Sequence, residues 1–221
     1  MKKIMLTGLC FFIYTILFSQ TSLSLSVHSS SDTTKPLIFY ISGDGGFNKF
    51  SNSFMQTLNK QGYAVIGLDA KDYFWHKKKP LEAANAIEQA INKYNNQWKR
   101  KNVILIGYSF GGDVAPFMLT HFTAALAARI NHLVLLSPSP KTDFEIHVLQ
   151  MLGWGKNSGE SVATEINKIN QPVLIIMGDD EDGFPLNELT IKNKQVIKMP
   201  GGHHYDGNVE GLCKQITISI K

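Results

Sequence analysis

The pentapeptide GYSFG, centred on Ser109, has the spacing that places a serine on a sharp turn between a strand and a helix. Such a turn needs small flanking residues because it brings two backbone segments close together. The apolar run VILIG predicts a buried strand that ends at the motif, and GDVAPFML predicts a helix that begins just after it. Ser109 is therefore a candidate nucleophile for acyl transfer rather than a small structural residue at a strand end.

A serine nucleophile needs a general base to take its proton. Two adjacent histidines in the segment MPGGHHYDG follow the last predicted strand, and the glycines before them give the backbone freedom to aim a side chain. We predict that His203 is the base, because it comes directly after the glycines, and His204 is the alternative. The other histidines lie on linkers, loops or helix flanks, where a surface or core role is more common.

The third member of a catalytic triad is an acid that orients the imidazole and stabilises its charged form. The acidic turn GDDEDGFP follows the apolar run PVLIIM, between the serine and the histidines in the chain. The order serine, acid, histidine is typical of α/β-hydrolases. We predict Asp182 as the acid because it lies deepest in the turn before Pro185. Glu181 is the next choice, and Asp179 and Asp180 stay as alternatives.

Acyl transfer also needs hydrogen-bond donors for the developing oxyanion. The N–H of Phe110, which follows the serine, supplies one, and the N–H of Asp44 or Gly45 in the turn SGDGGF supplies the second. This turn lacks the sequence that completes a phosphate-binding loop or a dinucleotide fingerprint, so a nucleotide site is not expected. The acidic turn lacks calcium-loop spacing and a convergent histidine. We therefore predict no metal and no organic cofactor.

The elements that position these residues are apolar runs alternating with longer amphipathic segments. Several runs are continuously apolar, as expected of strands covered on both faces. The pattern predicts an α/β-hydrolase-like three-layer sandwich of about six mainly parallel strands in the order 2-1-3-4-5-6, with helices on both faces. The candidate residues all follow predicted strands, so they meet at the carboxyl edge of the sheet. The predicted strands are 37–42, 64–68, 103–108, 132–137, 173–177 and 195–198, and the predicted helices are 50–61, 81–98, 112–129 and 161–169.

The composition and the N-terminus limit the class of protein. The chain has 221 residues, long enough for one well-buried domain, and 43% of them are hydrophobic. Its net charge is +4, and its cations are scattered instead of forming the continuous basic face of a nucleic-acid-binding protein. Lys2 and Lys3 precede an apolar stretch and then small polar residues, as in a secretory signal peptide. We predict a signal peptide at 1–26, cleaved near 19–26 during Sec export to the periplasm, with a membrane anchor as the alternative. A polar linker at 27–35 and a single α/β-hydrolase domain at 36–221 follow.

Five blocks of the sequence resemble the VirJ/AcvB family of bacterial virulence proteins, in its short single-domain form: SGDGGF, LDAKDYFW, GYSFGGDVAPF, DFEIHV and PGGHHYDG. The resemblance covers nearly all of the chain after the predicted signal peptide. It implies a periplasmic α/β-hydrolase with Ser109 as nucleophile and the base within His203-His204. It also implies a substrate, aminoacylated phosphatidylglycerol such as lysyl-phosphatidylglycerol, cleaved at the aminoacyl ester. The family is further linked to virulence through type IV secretion components or substrates. The acidic turn matches the family poorly, so the choice of acid stays open.

A lipid substrate gives further side chains a possible role. We expect Asp44 to meet a substrate ammonium, and Tyr73, Trp75 and Tyr108 to line the substrate site, with packing beneath the helix at 81–98 as the alternative for Tyr73 and Trp75. Lys77–Lys79 would attract a lipid phosphate or remain a solvated run. Peripheral contact with a membrane surface follows from such a substrate. The rival functions are a generic carboxylesterase or thioesterase on a small substrate, and a secretion-associated binding protein on a hydrolase fold.

Overall fold

The computed structural model describes residues 23–147 and 159–220, and its central feature is a twisted sheet with helices on both faces. Seven strands form this sheet, and a separate two-stranded ribbon lies beyond it. The strands of the sheet are β1 (Leu25–His28), β2 (Leu37–Ile41), β3 (Ala64–Leu68), β4 (Val103–Tyr108), β5 (Ile130–Leu136), β8 (Val173–Gly178) and β9 (Lys194–Met199); those of the ribbon are β6 (Lys141–Thr142) and β7 (Glu160–Ser161).

The order across the sheet is β1-β3-β2-β4-β5-β8-β9. The six strands from β2 to β9 in this sheet pair in parallel, which confirms the predicted strand order, whereas β1 adds an antiparallel edge. Every residue of β2, β3, β4 and β8 is buried, as their continuous apolar sequences require. The parallel register brings the carboxyl ends of β2, β3 and β4 to one edge, where Ile41 pairs with both Leu68 and Gly107.

Helices cover the two faces of the sheet unequally. Apolar residues of the helices Lys49–Lys60 and Val209–Ser219 pack on one face, and those of the helices Pro80–Trp98, Phe110–His121 and Val162–Ile166 pack on the other. The predicted helix at 112–129 is in fact two helices, because the chain becomes extended at Phe122 and Thr123 begins a new turn by capping Leu126 N–H. The helices are α1 (Lys49–Lys60), α2 (Ala70–Tyr73), α3 (Pro80–Trp98), α4 (Phe110–His121), α5 (Ala124–Ala127), α6 (Val162–Ile166) and α7 (Val209–Ser219). No helix among the described residues is both long enough and apolar enough to cross a bilayer.

The segment predicted as a signal-peptide end and polar linker contains an edge strand. Residues 25–28 pair with Leu68 back to Val65, so the predicted linker at 27–35 begins inside β1. The remainder of that range is also held in place, because the buried Arg100 guanidinium donates to the carbonyls of Ser30, Asp32 and Lys35. Most of the predicted signal peptide, residues 1–22, lies outside the described residues.

Candidate active site

Ser109 sits on a strained turn between β4 and α4. Its backbone has φ 52° and ψ −121°, a conformation that L-residues rarely adopt. The Ser109 N–H donates to the Leu136 carbonyl at 2.8 Å, and the Ser109 carbonyl accepts from the Asp113 N–H at 3.0 Å, so the turn is fixed on both sides. Strain of this kind costs on the order of 1–3 kcal/mol and persists where the surroundings enforce it, most often at functional sites.

The two glycines of the GYSFG motif are required by close backbone contacts. A Cβ at Gly107 would lie 2.2 Å from the Gly111 carbonyl oxygen, and a Cβ at Gly111 would lie 2.2 Å from the Ile41 carbonyl oxygen. Both oxygens belong to the backbone, so a side chain at either position could not be accommodated by the movement of a flexible side chain. The spacing of the motif therefore reflects how tightly α4 is drawn against β2 and β4 beneath the serine.

Ser109, His203 and Glu181 form a continuous hydrogen-bonded chain. His203 Nε2 lies 2.8 Å from Ser109 Oγ, and His203 Nδ1 lies 2.7 Å from Glu181 Oε1. These distances match the nucleophile, base and orienting acid of a catalytic triad. The chain joins the ends of β4, β8 and β9, which the sequence places far apart.

The acid beside the histidine is Glu181, which corrects the preference for Asp182. The Asp182 side chain is 93% exposed and forms an ion pair with Lys198 at 3.4 Å, whereas the Glu181 side chain is 19% exposed and faces His203. The turn beyond β8 directs position 181 towards the site and position 182 towards solvent. Asp179 and Asp180 are also exposed and form no hydrogen bond to His203.

The electrostatics of the Glu181–His203 pair favour the charged carboxylate. Burial opposes ionisation of Glu181, but hydrogen bonds from His203, Ser137 and the Gly178 N–H outweigh it and lower the pKa of Glu181 to about 2. Burial alone would lower the pKa of His203, yet the hydrogen bond and charge of Glu181 raise it above the ordinary histidine value. The pair is thus arranged to stabilise an imidazolium, the species that a general-base histidine becomes in a catalytic triad.

Two residues that the sequence analysis missed hold Glu181 in place. Ser137 Oγ donates to Glu181 Oε2 at 2.6 Å, and the Gly178 N–H donates to the same oxygen at 2.7 Å. Ser137 also contacts the hydroxyl of the buried Tyr205 at 2.8 Å, and that hydroxyl donates to the Ile176 carbonyl. Ser137 follows β5 directly and has φ 47°. Its position at the carboxyl edge of the sheet is the sequence signal that could have marked it as a site residue.

Tyr108 and His204 support the histidine loop, and neither occupies the position predicted for it. The Tyr108 hydroxyl donates to the His203 carbonyl at 3.1 Å and lies 2.5 Å from His204 Nδ1. Tyr108 is only 2% exposed, and its ring packs against Phe50 at 4.5 Å. The tyrosine therefore joins the Ser109 turn to the histidine loop instead of lining an open substrate site. His204, the alternative base, contacts Tyr108 rather than Ser109.

The turn that carries two of the predicted oxyanion donors begins beside the serine. Gly43, at the start of the SGDGGF turn, is so close to Ser109 that a Cβ there would lie 3.3 Å from the serine Cβ. The turn closes through a hydrogen bond from the Gly46 N–H to the Gly43 carbonyl. Within residues 23–147 and 159–220, the N–H groups of Asp44, Gly45 and Phe110 donate to no protein acceptor.

The remaining predicted substrate residues divide into buried and exposed ones. Asp44 is half-buried and close enough to His203 to favour its charged form. Tyr73 is buried and packs edge-on against Phe74, within the apolar cluster that α3 covers, so it does not line the site and the packing alternative is correct. Trp75 is 43% exposed and borders an open cleft.

A second buried carboxylate, on Asp113, was not anticipated. It lies one helical turn after Ser109 and accepts from the Ser139 N–H. Burial raises the pKa of Asp113 to about 7, although the Ser139 bond and the charge of His203 act in the opposite direction. Among the described residues, no three His, Cys, Asp or Glu side chains converge as metal ligands would.

Comparison with known protein families identifies the family of this chain. The family described as "Bacterial virulence protein (VirJ)" matches residues 35–221. The chain belongs to the VirJ family. No curated protein matches this VirJ-family chain by sequence.

Solved structures similar to this VirJ-family chain share its fold. Est1E from Butyrivibrio proteoclasticus superposes with a TM-score of 0.60 at 17% identity, covering 89% of this chain and 92% of that one. A lipase-esterase related protein from Clostridium acetobutylicum gives 0.62 at 16% identity, covering 89% and 98%. MenH from S. aureus gives 0.62 at 14% identity, covering 89% and 97%. The fold is that of the α/β-hydrolases.

Proposed function

We propose that this chain is a periplasmic serine ester hydrolase that cleaves the aminoacyl ester of aminoacylated phosphatidylglycerol. The observation that carries the hydrolase proposal is the hydrogen-bonded chain from Ser109 through His203 to Glu181, with the serine on a strained turn. The α/β-hydrolase fold and the VirJ family support it. The family resemblance supports the lipid substrate and a link to type IV secretion.

The geometry suits a two-step acyl transfer. Ser109 Oγ attacks the ester carbonyl while His203 Nε2 takes its proton, and Glu181 stabilises the resulting imidazolium. The carbonyl oxygen becomes an oxyanion and accepts from the free N–H groups of Phe110 and of the Asp44–Gly45 turn. His203 then protonates the departing glycerol oxygen, leaving an aminoacyl-serine. Water, deprotonated by His203, releases the amino acid and restores the serine.

Charge near the serine supports an aminoacyl rather than a fatty acyl group. The half-buried Asp44 carboxylate favours the charged form of His203, so it lies in the electrostatic environment of the reacting ester. An α-amino acid ester carries an ammonium next to its carbonyl, and a nearby carboxylate attracts that ammonium. A neutral fatty acyl chain would gain nothing from this carboxylate and would bear the cost of desolvating it.

The nucleophile is tested with a fluorophosphonate probe on the purified protein. We expect the wild type to be labelled, and Ser109→Ala and His203→Ala to lose labelling. Ser29→Ala is the matched serine control and should be labelled like the wild type, because Ser29 is exposed and follows His28, which pairs with Val65 near the amino end of β3, opposite the edge that carries Ser109. Equal labelling of the wild type and Ser109→Ala would refute a Ser109 nucleophile.

The substrate is tested with lysyl-phosphatidylglycerol and a soluble aryl ester side by side. Release of lysine by the wild type, and its loss in Ser109→Ala, supports the proposal. In Asp44→Asn the rate on the lysyl lipid should fall more than the rate on the aryl ester, because only the lysyl lipid carries an ammonium. Turnover of the aryl ester without lysine release would favour a generic carboxylesterase instead.

The compartment is tested separately from the chemistry. Export follows from the predicted signal peptide at 1–26, and cell fractionation of the full chain should place the mature protein in the periplasm. The link to secretion is tested by whether Ser109→Ala alone impairs transfer of a type IV substrate. Normal transfer in that variant would separate secretion from the hydrolase.

A further inference from the structure

We infer that the loop Trp75–Lys79 docks the protein on an anionic phospholipid surface and so brings the lipid ester to Ser109. This loop, called the 75–79 loop below, has the sequence WHKKK and joins α2 to α3. The inference deepens the proposed function and rests on it for the substrate. The docking step itself can be measured without any turnover.

The 75–79 loop lies at the same edge of the sheet as the nucleophile. Phe74, which immediately precedes it, packs against Phe110 with ring centroids 5.3 Å apart, and Phe110 follows Ser109. Asp69, at the end of β3, accepts from the Phe47 N–H of the predicted oxyanion turn. The segment after β3 therefore contacts both turns that surround the reacting carbonyl.

The loop presents an aromatic ring and cations to solvent while its neighbours are buried. Phe74 is fully buried, yet Trp75 is 43% exposed, and Lys77 and Lys79 are exposed. In the part of the chain that the structure describes, no carboxylate forms an ion pair with either lysine, in contrast to Lys168 and Lys198.

The start of α3 adds to the positive potential of the loop. Lys79 occupies the cap position of this helix without a side-chain cap, and Pro80 follows as its first residue. Unpaired N–H groups of a helix N-terminus attract negative charge.

Acids also surround the loop. Asp69 and Asp72 share the cleft bordered by Trp75, and Glu82 lies in the first turn of α3. Asp143 and Glu160 border the cavity lined by Lys77–Lys79, so the exposed lysines rather than the whole region carry the positive charge.

An exposed tryptophan beside several lysines matches the surface of an anionic bilayer. Tryptophan favours the interface between headgroups and acyl chains, where its ring is half in an apolar environment. Each lysine near an anionic surface contributes about 1 kcal/mol, which corresponds to about a fivefold change in binding. A soluble acidic protein would match the lysines but would not account for the exposed ring on the side of the active site.

The test measures co-sedimentation with vesicles of phosphatidylcholine alone and of phosphatidylcholine mixed with phosphatidylglycerol. All proteins carry Ser109→Ala, so that hydrolysis does not alter the vesicles. We compare this parent with Lys77→Gln/Lys79→Gln and with the matched control Lys192→Gln/Lys214→Gln, which removes two exposed lysines elsewhere. Intrinsic fluorescence with and without Trp75→Phe reports whether this ring enters the lipid.

Binding that requires phosphatidylglycerol, weakens with salt and falls roughly 25-fold in the loop pair but not in the control pair would support the inference. A blue shift on binding that disappears in Trp75→Phe would support it further. Equal losses in the two lysine pairs, or binding that ignores vesicle charge, would overturn it.

Kinetic measurements on proteins that keep Ser109 distinguish failure of the docking surface from failure of the proposed function. The loop pair should hydrolyse a soluble aryl ester like the wild type but act more slowly on lysyl-phosphatidylglycerol in vesicles. If the loop governs vesicle binding but no lysine is released by the wild type, the docking surface stands and the proposed substrate is refuted. If lysine release is normal in the loop pair, the docking inference is refuted and the substrate stands.

Discussion

Replacing Glu181 by glutamine should prevent His203 from acting as a base, because it favours the wrong tautomer of the imidazole. Glu181 Oε2 accepts from Ser137 and from the Gly178 N–H, so a glutamine keeps its oxygen in that position and turns its NH₂ group towards His203 Nδ1. Two N–H donors cannot face each other, and His203 must then carry its proton on Nε2. In this tautomer Nε2 cannot take the proton of Ser109. From triads in which the acid alone is altered, we expect kcat to fall about 10⁴-fold.

The neighbouring residue provides the control for this prediction. Asp182→Asn makes the same chemical change one residue away, but on a side chain that is 93% exposed and paired with Lys198 only at the surface. His203 bonds to Glu181 and Ser109 and not to Asp182, so kcat should change less than about twofold, and loss of a surface pair should cost only about 0–1 kcal/mol of stability. The assay is hydrolysis of an aryl ester, with thermal unfolding to verify folding. A loss in Glu181→Gln below tenfold, or an equal loss in Asp182→Asn, would refute the assignment of the acid.

Three further predictions concern the same site. Ser109→Gly should abolish hydrolysis yet raise the free energy of unfolding by about 1 kcal/mol, because glycine adopts φ 52° without strain; an unchanged or lower Tm would contradict the strain argument. Tyr108→Phe should lower kcat about tenfold at constant KM, because it loosens the loop that carries His203. The control Tyr40→Phe loses a buried hydrogen bond to Ser51 and should cost only about 1 kcal/mol of stability. Equal kcat in the two variants would rule out a positioning role for Tyr108. The rate of fluorophosphonate labelling should rise with pH as His203 becomes neutral, with a midpoint above 6.5, because Glu181 raises the pKa of His203; a midpoint below 6.5 would show that burial outweighs the carboxylate.

The arrangement of the sheet was predictable because each strand is covered on both faces. Continuous apolar runs such as those of β4 and β8 have no other stable environment in a soluble domain, and their alternation with helices leaves few topologies. The same argument places the end of each strand at one edge. It therefore brings Ser109, the acidic turn and His203 together before any coordinate is known.

The identity of the acid could not be predicted because it depends on the direction of a side chain within a turn. Glu181 and Asp182 are adjacent and carry the same charge, and the sequence does not state which of them faces the sheet. The structure decides through the Gly178 N–H and Ser137, which bind one carboxylate oxygen and leave the other for His203. Ser137 comes from a different strand, so its partnership is invisible in the local pattern.

The edge strand was missed for a different reason. Leu23, Leu25 and Val27 alternate with Ser24, Ser26 and His28, which is the period of a half-buried strand. That pattern overlaps the small polar residues expected after a signal peptide, so a cleavage region fits these residues equally well. Tyr73 shows the same limit, since an aromatic residue after a strand fits a substrate wall and a core equally well.

The antiparallel strand β1 has a practical consequence for the boundaries of a functional domain. All five residues of its partner β3 are buried, and the pairing from Leu25 to His28 occupies the outer row of β3 backbone groups. A protein shortened to begin at Ser29 would retain every residue of the candidate triad and still expose the unpaired edge of an apolar strand, the kind of surface on which chains pair with one another. Solubility, rather than chemistry, therefore sets the latest residue at which the mature protein is expected to begin.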